Sequence, residues 1–150
     1  MIRLLIGVDQ SKDSLTAVYA VLSRCWPKGT QVRLLAVVDT VMAIGTDPRE
    51  PGNMKWIEVG DESNWDQVRE LFEPSAGSLR ALGLDVKVMI RRGNPADEII
   101  EEAETWSADC VFVGARGTRG IERLLLGSVS AAVSARANCS VEVVRAPKRG

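Results

Sequence analysis

The chain alternates between short, nearly unbroken apolar runs and longer stretches in which apolar residues recur every three or four positions. Residues 2–9 (Ile-Arg-Leu-Leu-Ile-Gly-Val-Asp) and 31–39 (Gln-Val-Arg-Leu-Leu-Ala-Val-Val-Asp) are runs of the first kind, each closing on an acid. Strands covered by helices on both faces read this way. Residues 84–91, 109–114 and 140–145 predict three more strands, the first with the alternation Asp85-Val86-Lys87-Val88-Met89.

Between these runs the period is helical. Leu15, Val18, Tyr19, Leu22 and Trp26 mark one apolar face. Ser11 suits the cap, Asp13 suits the first turn, and Pro27-Lys28-Gly29 stops the helix. Trp65, Val68, Phe72, Ala76 and Leu79 predict a helix over 64–82. Pro74 inside it removes a hydrogen bond and crowds the preceding turn, so a kink or two short helices is expected. Asn94-Pro95 opens a third helix with the stripe Ala96, Ile99, Ile100 and Ala103, while Asp97, Glu98, Glu101 and Glu102 face water. A fourth, over 128–137, carries Val129, Ala132, Val133 and Arg136 on one side.

The order β-α-β-loop-α-β-α-β-α-β defines an α/β fold: one domain over 1–150, with an open five-stranded parallel sheet, right-handed crossovers and helices on both faces. Residues 39–62 break the pattern and read as a long connection without regular structure. This loop holds Met42, Ile44, Met54, Trp56 and Ile57. It is either a lid or dimer contact, or a loop folded back on its own domain.

Charge narrows the function. Nineteen basic residues against 20 acidic give a net charge of −1, which is no footprint for nucleic acid. No apolar run reaches the roughly 20 residues that span a bilayer, and the first residues do not read as a cleavable leader. A soluble, cytoplasmic protein is expected. The absence of histidine excludes Ser-His-Asp and Cys-His catalysis and the commonest transition-metal ligand. Cys25, Cys110 and Cys139 are too scattered for a metal site or disulfide framework and read as reduced, mostly packed thiols.

In an open parallel sheet, ligands sit beyond the carboxyl ends of the strands. There the chain reads Gly114-Ala115-Arg116-Gly117-Thr118-Arg119-Gly120, and Gly127-Ser128 then starts a helix. Successive amides in a glycine-rich turn form an anion nest, and a helix start offers a second. Arg116, and after it Arg119, can add charge-assisted contacts to phosphate. Ser128 either caps its helix or donates to a phosphate. Neither the P-loop G-x-x-x-x-G-K-[ST] nor the dinucleotide G-x-G-x-x-G is present. Asp9, at the tip of the first strand, suits a ribose hydroxyl pair or caps the following helix.

Gly114-x-x-Gly117, nine residues, then Gly127-Ser128 resembles the ATP-binding signature of the universal stress protein family. The likeness extends to Val8-Asp9-x-Ser11, to Gly93-Asn94-Pro95 and to the ending 137–145. It implies a Rossmann-like sheet in the order 3-2-1-4-5 and a homodimer through strand 141–145, whose short apolar edge invites a second copy. It also implies ATP, or ADP or AMP, with Mg²⁺ or Mn²⁺ held by phosphate oxygens and water rather than by protein ligands. In this likeness Asp9 meets the ribose and Val37 the adenine, while Gly114, Arg116, Gly117, Gly127, Ser128, Val129 and Ser130 surround the phosphates. With Val8 and Val113 these form the expected nucleotide-contacting set. Gln10, Ala36 and Ser140 depart from the family's frequent Gly, His and Pro. No catalytic residue is assigned. A stress-response regulatory module with an unknown protein partner is expected, the alternative being a slow ATPase or nucleotide-transferring enzyme on the same fold.

Overall fold

The computed structural model describes residues 1–8, 12–38, 41–44, 55–58, 65–115 and 126–145. Its strands are β1 (Arg3–Val8), β2 (Gln31–Val38), β3 (Val41–Ile44), β4 (Lys55–Glu58), β5 (Asp85–Arg92), β6 (Cys110–Gly114) and β7 (Ser140–Val144). The helices are α1 (Lys12–Leu22), α2 (Trp65–Ala81), α3 (Pro95–Thr105) and α4 (Ser128–Arg136). Five strands form one parallel sheet in the order β5-β2-β1-β6-β7, the expected 3-2-1-4-5 once β3 and β4 are set aside.

Successive strand residues face opposite sides of the sheet, which divides the core in two. Leu4, Ile6, Val8, Leu34, Val88 and Phe112 pack beneath α1 and α2. Leu5, Leu35, Val111 and Val113 pack beneath α3 and α4. A Cβ on Gly7 would lie 2.8 Å from Ile99 Cδ1 and 3.3 Å from Val113 Cγ1. The bare glycine therefore lets α3 settle low over the end of β1. No helix among the described residues is long and apolar enough to cross a membrane.

Four sequence expectations change. The first concerns α1, which buries Ser14, Ala17, Val18 and Val21, leaving Leu15 47% and Tyr19 64% exposed. Small residues on the buried face let the helix approach the sheet closely, which the spacing of large apolar residues does not reveal. Trp26 lies beyond the helix and meets the Phe112 ring edge-on at 6.2 Å.

Second, α2 is one helix of 17 residues with Pro74 inside it rather than two short helices. Pro74 and Glu70 are both exposed, so water can satisfy the carbonyl that the proline leaves without a partner. Exposed Gly77 sits in the same helix, and a Cβ there would meet nothing within 4 Å. Gly77→Ala is expected to stabilise the fold by about 0.5–1 kcal/mol, raising Tm by roughly 1–4 °C in a thermal melt.

Third, the connection 39–62 contains an antiparallel ladder, β3 against β4, in which Val41 pairs with Glu58 and Ile44 with Lys55. Strands of four residues are too short to register as a period. Their side chains, and with them the choice between lid and folded-back loop, lie outside the described residues.

The fourth change concerns Glu102, expected in water but only 1% exposed. Its carboxylate is held by Arg33 of β2 and, at 2.5 Å, by Arg91 of β5. The Arg33 guanidinium also stacks 4.3 Å from the centre of the Trp106 ring.

All three cysteines are free thiols. Cys25 is exposed, while Cys110 and Cys139 are half-buried. Burial, and after it the nearby Glu142 carboxylate, pushes the Cys110 thiol up to about 11, so it stays protonated at neutral pH.

Candidate functional site

Strand order reverses at β1: β2 and β5 lie to one side, β6 and β7 to the other. The helices after β1 and β6 cover opposite faces, since α1 packs in the first core and α4 in the second. In sheets wound this way the carboxyl ends of the strands at the reversal are the usual place for a ligand.

Val8 ends β1, Val37 lies one residue from the end of β2, and Val113-Gly114 ends β6. Val8 is paired with Ala36, so Val37 lies one step further along the same rim. Val37, Val113 and Val129 pack on the α3–α4 side, Val8 on the other. Asp9, Arg116 and Gly117 lie outside the described residues, as do Gln10, Ser11, Asp39 and Arg119.

The start of α4 is the most informative part of the site. Gly127 is the N-cap, with φ −63° and ψ 160°, and no side chain among the described residues caps the helix. Ser128 is therefore the first helical residue, not its cap. A helix start leaves its first amides without intrahelical partners. Ala131 N–H already donates to Gly127 O at 3.0 Å, but the amides of Ser128, Val129 and Ser130 meet no backbone acceptor among the described residues. The first turn also holds no acidic residue to offset the dipole. Ser128 is exposed, Gly127 and Val129 are half-buried, and Gly114 is half-buried opposite them.

Ala115, which no motif singles out, joins these parts. Its N–H donates to Val144 O of β7 at 2.8 Å. Its carbonyl accepts from Gly127 N–H at 2.6 Å and from Ser130 Oγ at 2.8 Å. The Gly127 amide is thus spent within the protein, and the end of β6 is held beside the start of α4. The sequence signal for Ala115 is only its place after Gly114, at the exit of a buried strand.

An open, doubly wound parallel sheet with helices on both faces defines the class of protein, a Rossmann-like α/β fold. The Universal stress protein family profile matches residues 1–145, and the chain belongs to that family. It is 31% identical over 147 residues to Universal stress protein MJ0531 of Methanocaldococcus jannaschii, covering 98% of this chain and 84% of the relative. Among solved structures it is similar to MJ0577, at a TM-score of 0.76 and 26% identity, covering 98% of this chain and 97% of that one. An AMP-bound family member from Arabidopsis thaliana shares the fold at a TM-score of 0.65 and 20% identity, covering 97% and 92%.

Proposed function

We propose that this chain is a cytoplasmic, nucleotide-loaded regulatory module that binds ATP or a shorter adenine nucleotide at the switch point. The observation that carries this reading is the bare start of α4, with three amides and no acid in its first turn, facing the end of β6. Phosphate oxygens satisfy such amides and complement the helix dipole. The AMP bound to a family member of the same fold supports an adenine nucleotide as the source of that phosphate. In this reading Val8, Val37 and Val113 line the base and sugar, and Asp9 takes the ribose hydroxyls. Gly114, Arg116, Gly117, Gly127, Ser128, Val129 and Ser130 surround the phosphates.

No group of three Cys, Asp or Glu side chains among the described residues could hold a metal ion. In this reading a Mg²⁺ or Mn²⁺ rides on phosphate oxygens and water, since magnesium keeps much of its hydration shell.

The direct experiment is to denature freshly purified protein and identify the released nucleotide by mass spectrometry. Added ATP at about 100 times its Kd should also stabilise the fold by about 2.7 kcal/mol. An empty protein with an unmoved Tm would end the nucleotide reading. Phosphate release measured with Asp9→Asn and Ser128→Ala distinguishes the alternative, a slow ATPase, because turnover lost in either variant would favour an enzyme.

Homodimerisation through β7 is part of the proposal. β7 is an edge strand, and edges pair readily unless charged. Its one acid, Glu142, is neutralised by a two-pronged ion pair with Arg24, whose other partner, at 5.6 Å, is the Phe112 ring. Arg24→Glu should turn a silent charge into a repelling pair and weaken self-association at least tenfold by analytical ultracentrifugation, on the order of 1.4 kcal/mol. The swap Arg24→Glu with Glu142→Arg should restore it.

A further inference from the structure

Ser130 invites a direct role, since it stands in the first turn of α4 and carries a hydroxyl. Its geometry gives that hydroxyl another task. The residue is 1% exposed, and its Oγ lies 2.8 Å from Ala115 O and 3.1 Å from Gly127 O. One proton faces two inward acceptors. To meet a ligand, the hydroxyl would have to abandon both and turn out of a buried position.

The carbonyl it reaches is also the acceptor of the Gly127 amide. Two donors, one on each side of the α4 start, therefore converge on a single oxygen at the end of β6. They fix where the helix begins relative to Gly114, the two groups that flank the proposed phosphates. A helix start displaced by a fraction of an ångström presents its amides at poor distance and angle, and hydrogen bonds weaken steeply with misalignment.

We propose that Ser130 is a positioning residue for nucleotide binding. It donates to Ala115 O, setting the Ser128, Val129 and Ser130 amides for the phosphates without its hydroxyl touching them. This inference rests on the nucleotide reading above and assigns a role within that site.

Two measurements test it separately from that reading. Amide hydrogen exchange at Gly127, made without nucleotide, reports the clamp. Calorimetric titration with ATP reports binding. Ser130→Ala is expected to speed exchange at Gly127 by up to about tenfold, the range of one net hydrogen bond, and to weaken ATP binding by a similar factor. Ser130→Thr, which returns the hydroxyl, should restore both. If Ser130→Ala does not fold, Ser130→Cys keeps the volume with a weak donor and carries the same comparison.

Faster exchange with unchanged ATP affinity would make the serine merely structural and overturn the proposal. Weaker affinity with unchanged exchange would make it a direct phosphate contact and overturn it equally. Wild-type protein that takes up no adenine nucleotide would defeat the nucleotide reading and the positioning role together. Exchange at Gly127 would still show whether the clamp forms.

Discussion

Glu102→Ala is expected to lower the unfolding free energy by about 3–5 kcal/mol, a large share of the 5–15 kcal/mol that holds a typical domain together. The carboxylate is 1% exposed and its two arginine partners are 25% and 28% exposed, so it is the one fully desolvated charge of the trio. Removing it leaves two guanidinium groups beside each other on neighbouring strands, with Glu98 near Arg91 at 3.3 Å as a partial substitute. In a chain of 150 residues this corresponds to a Tm roughly 10 °C lower. Replacing the whole trio by apolar residues, as Arg33→Met, Glu102→Leu and Arg91→Leu, should cost far less, because no charge is left without its partner. Urea unfolding of both variants measures the difference. A single variant within 1 kcal/mol of wild type would mean that water reaches the arginines freely and that the trio contributes little.

The same trio shows where sequence patterning reached its limit. The five main strands, the apolar face of α2 and the crossover logic are all legible, because large apolar residues at fixed spacing report burial directly, whereas the strand order followed only from the family resemblance. In α3 the stripe was legible through Ala96, Ile99 and Ala103, but Glu102 was assigned to water by its residue type. Position 102 lies three residues beyond Ile99, on the buried side of the helix. The missing signal was in other elements: Arg33 interrupts the apolar run of β2 and Arg91 stands near the end of β5, and a half-buried charge needs a partner.

In α1 the error has the opposite sense. Ser14 and Ala17 share the buried face with Val18 and Val21, while Leu15 and Tyr19, marked by size, face outward. The β3–β4 ladder was invisible because four residues do not establish a period. At the site, glycine spacing marked the end of β6 at Gly114 and the start of α4 at Gly127. It did not show that the Gly127 amide and the Ser130 hydroxyl are committed to Ala115, since an alanine between motif positions carries no chemical mark.

Ser128→Pro should leave the fold intact and weaken ATP binding at least a hundredfold. Ser128 is the first residue of α4, where the missing N–H of proline removes no intrahelical bond. The preceding Gly127 has ψ 160°, within the extended region that a residue before proline favours. The substitution deletes one amide and one exposed hydroxyl, both proposed phosphate donors. Hydrogen bonds to a charged group contribute about 1.5–3 kcal/mol each. Losing two therefore costs roughly 3–6 kcal/mol, or a factor of a hundred or more in Kd. Ser128→Ala removes only the hydroxyl and should cost about tenfold. Adenosine, which has no phosphate, should bind wild type and Ser128→Pro alike. Calorimetric titration gives the affinities, and a Tm within about 2 °C of wild type verifies the fold. Wild-type ATP affinity in a folded Ser128→Pro variant would place the phosphates away from α4 and remove the basis of the nucleotide site. An equal loss for adenosine would show instead that the proline ring had deformed the pocket walls.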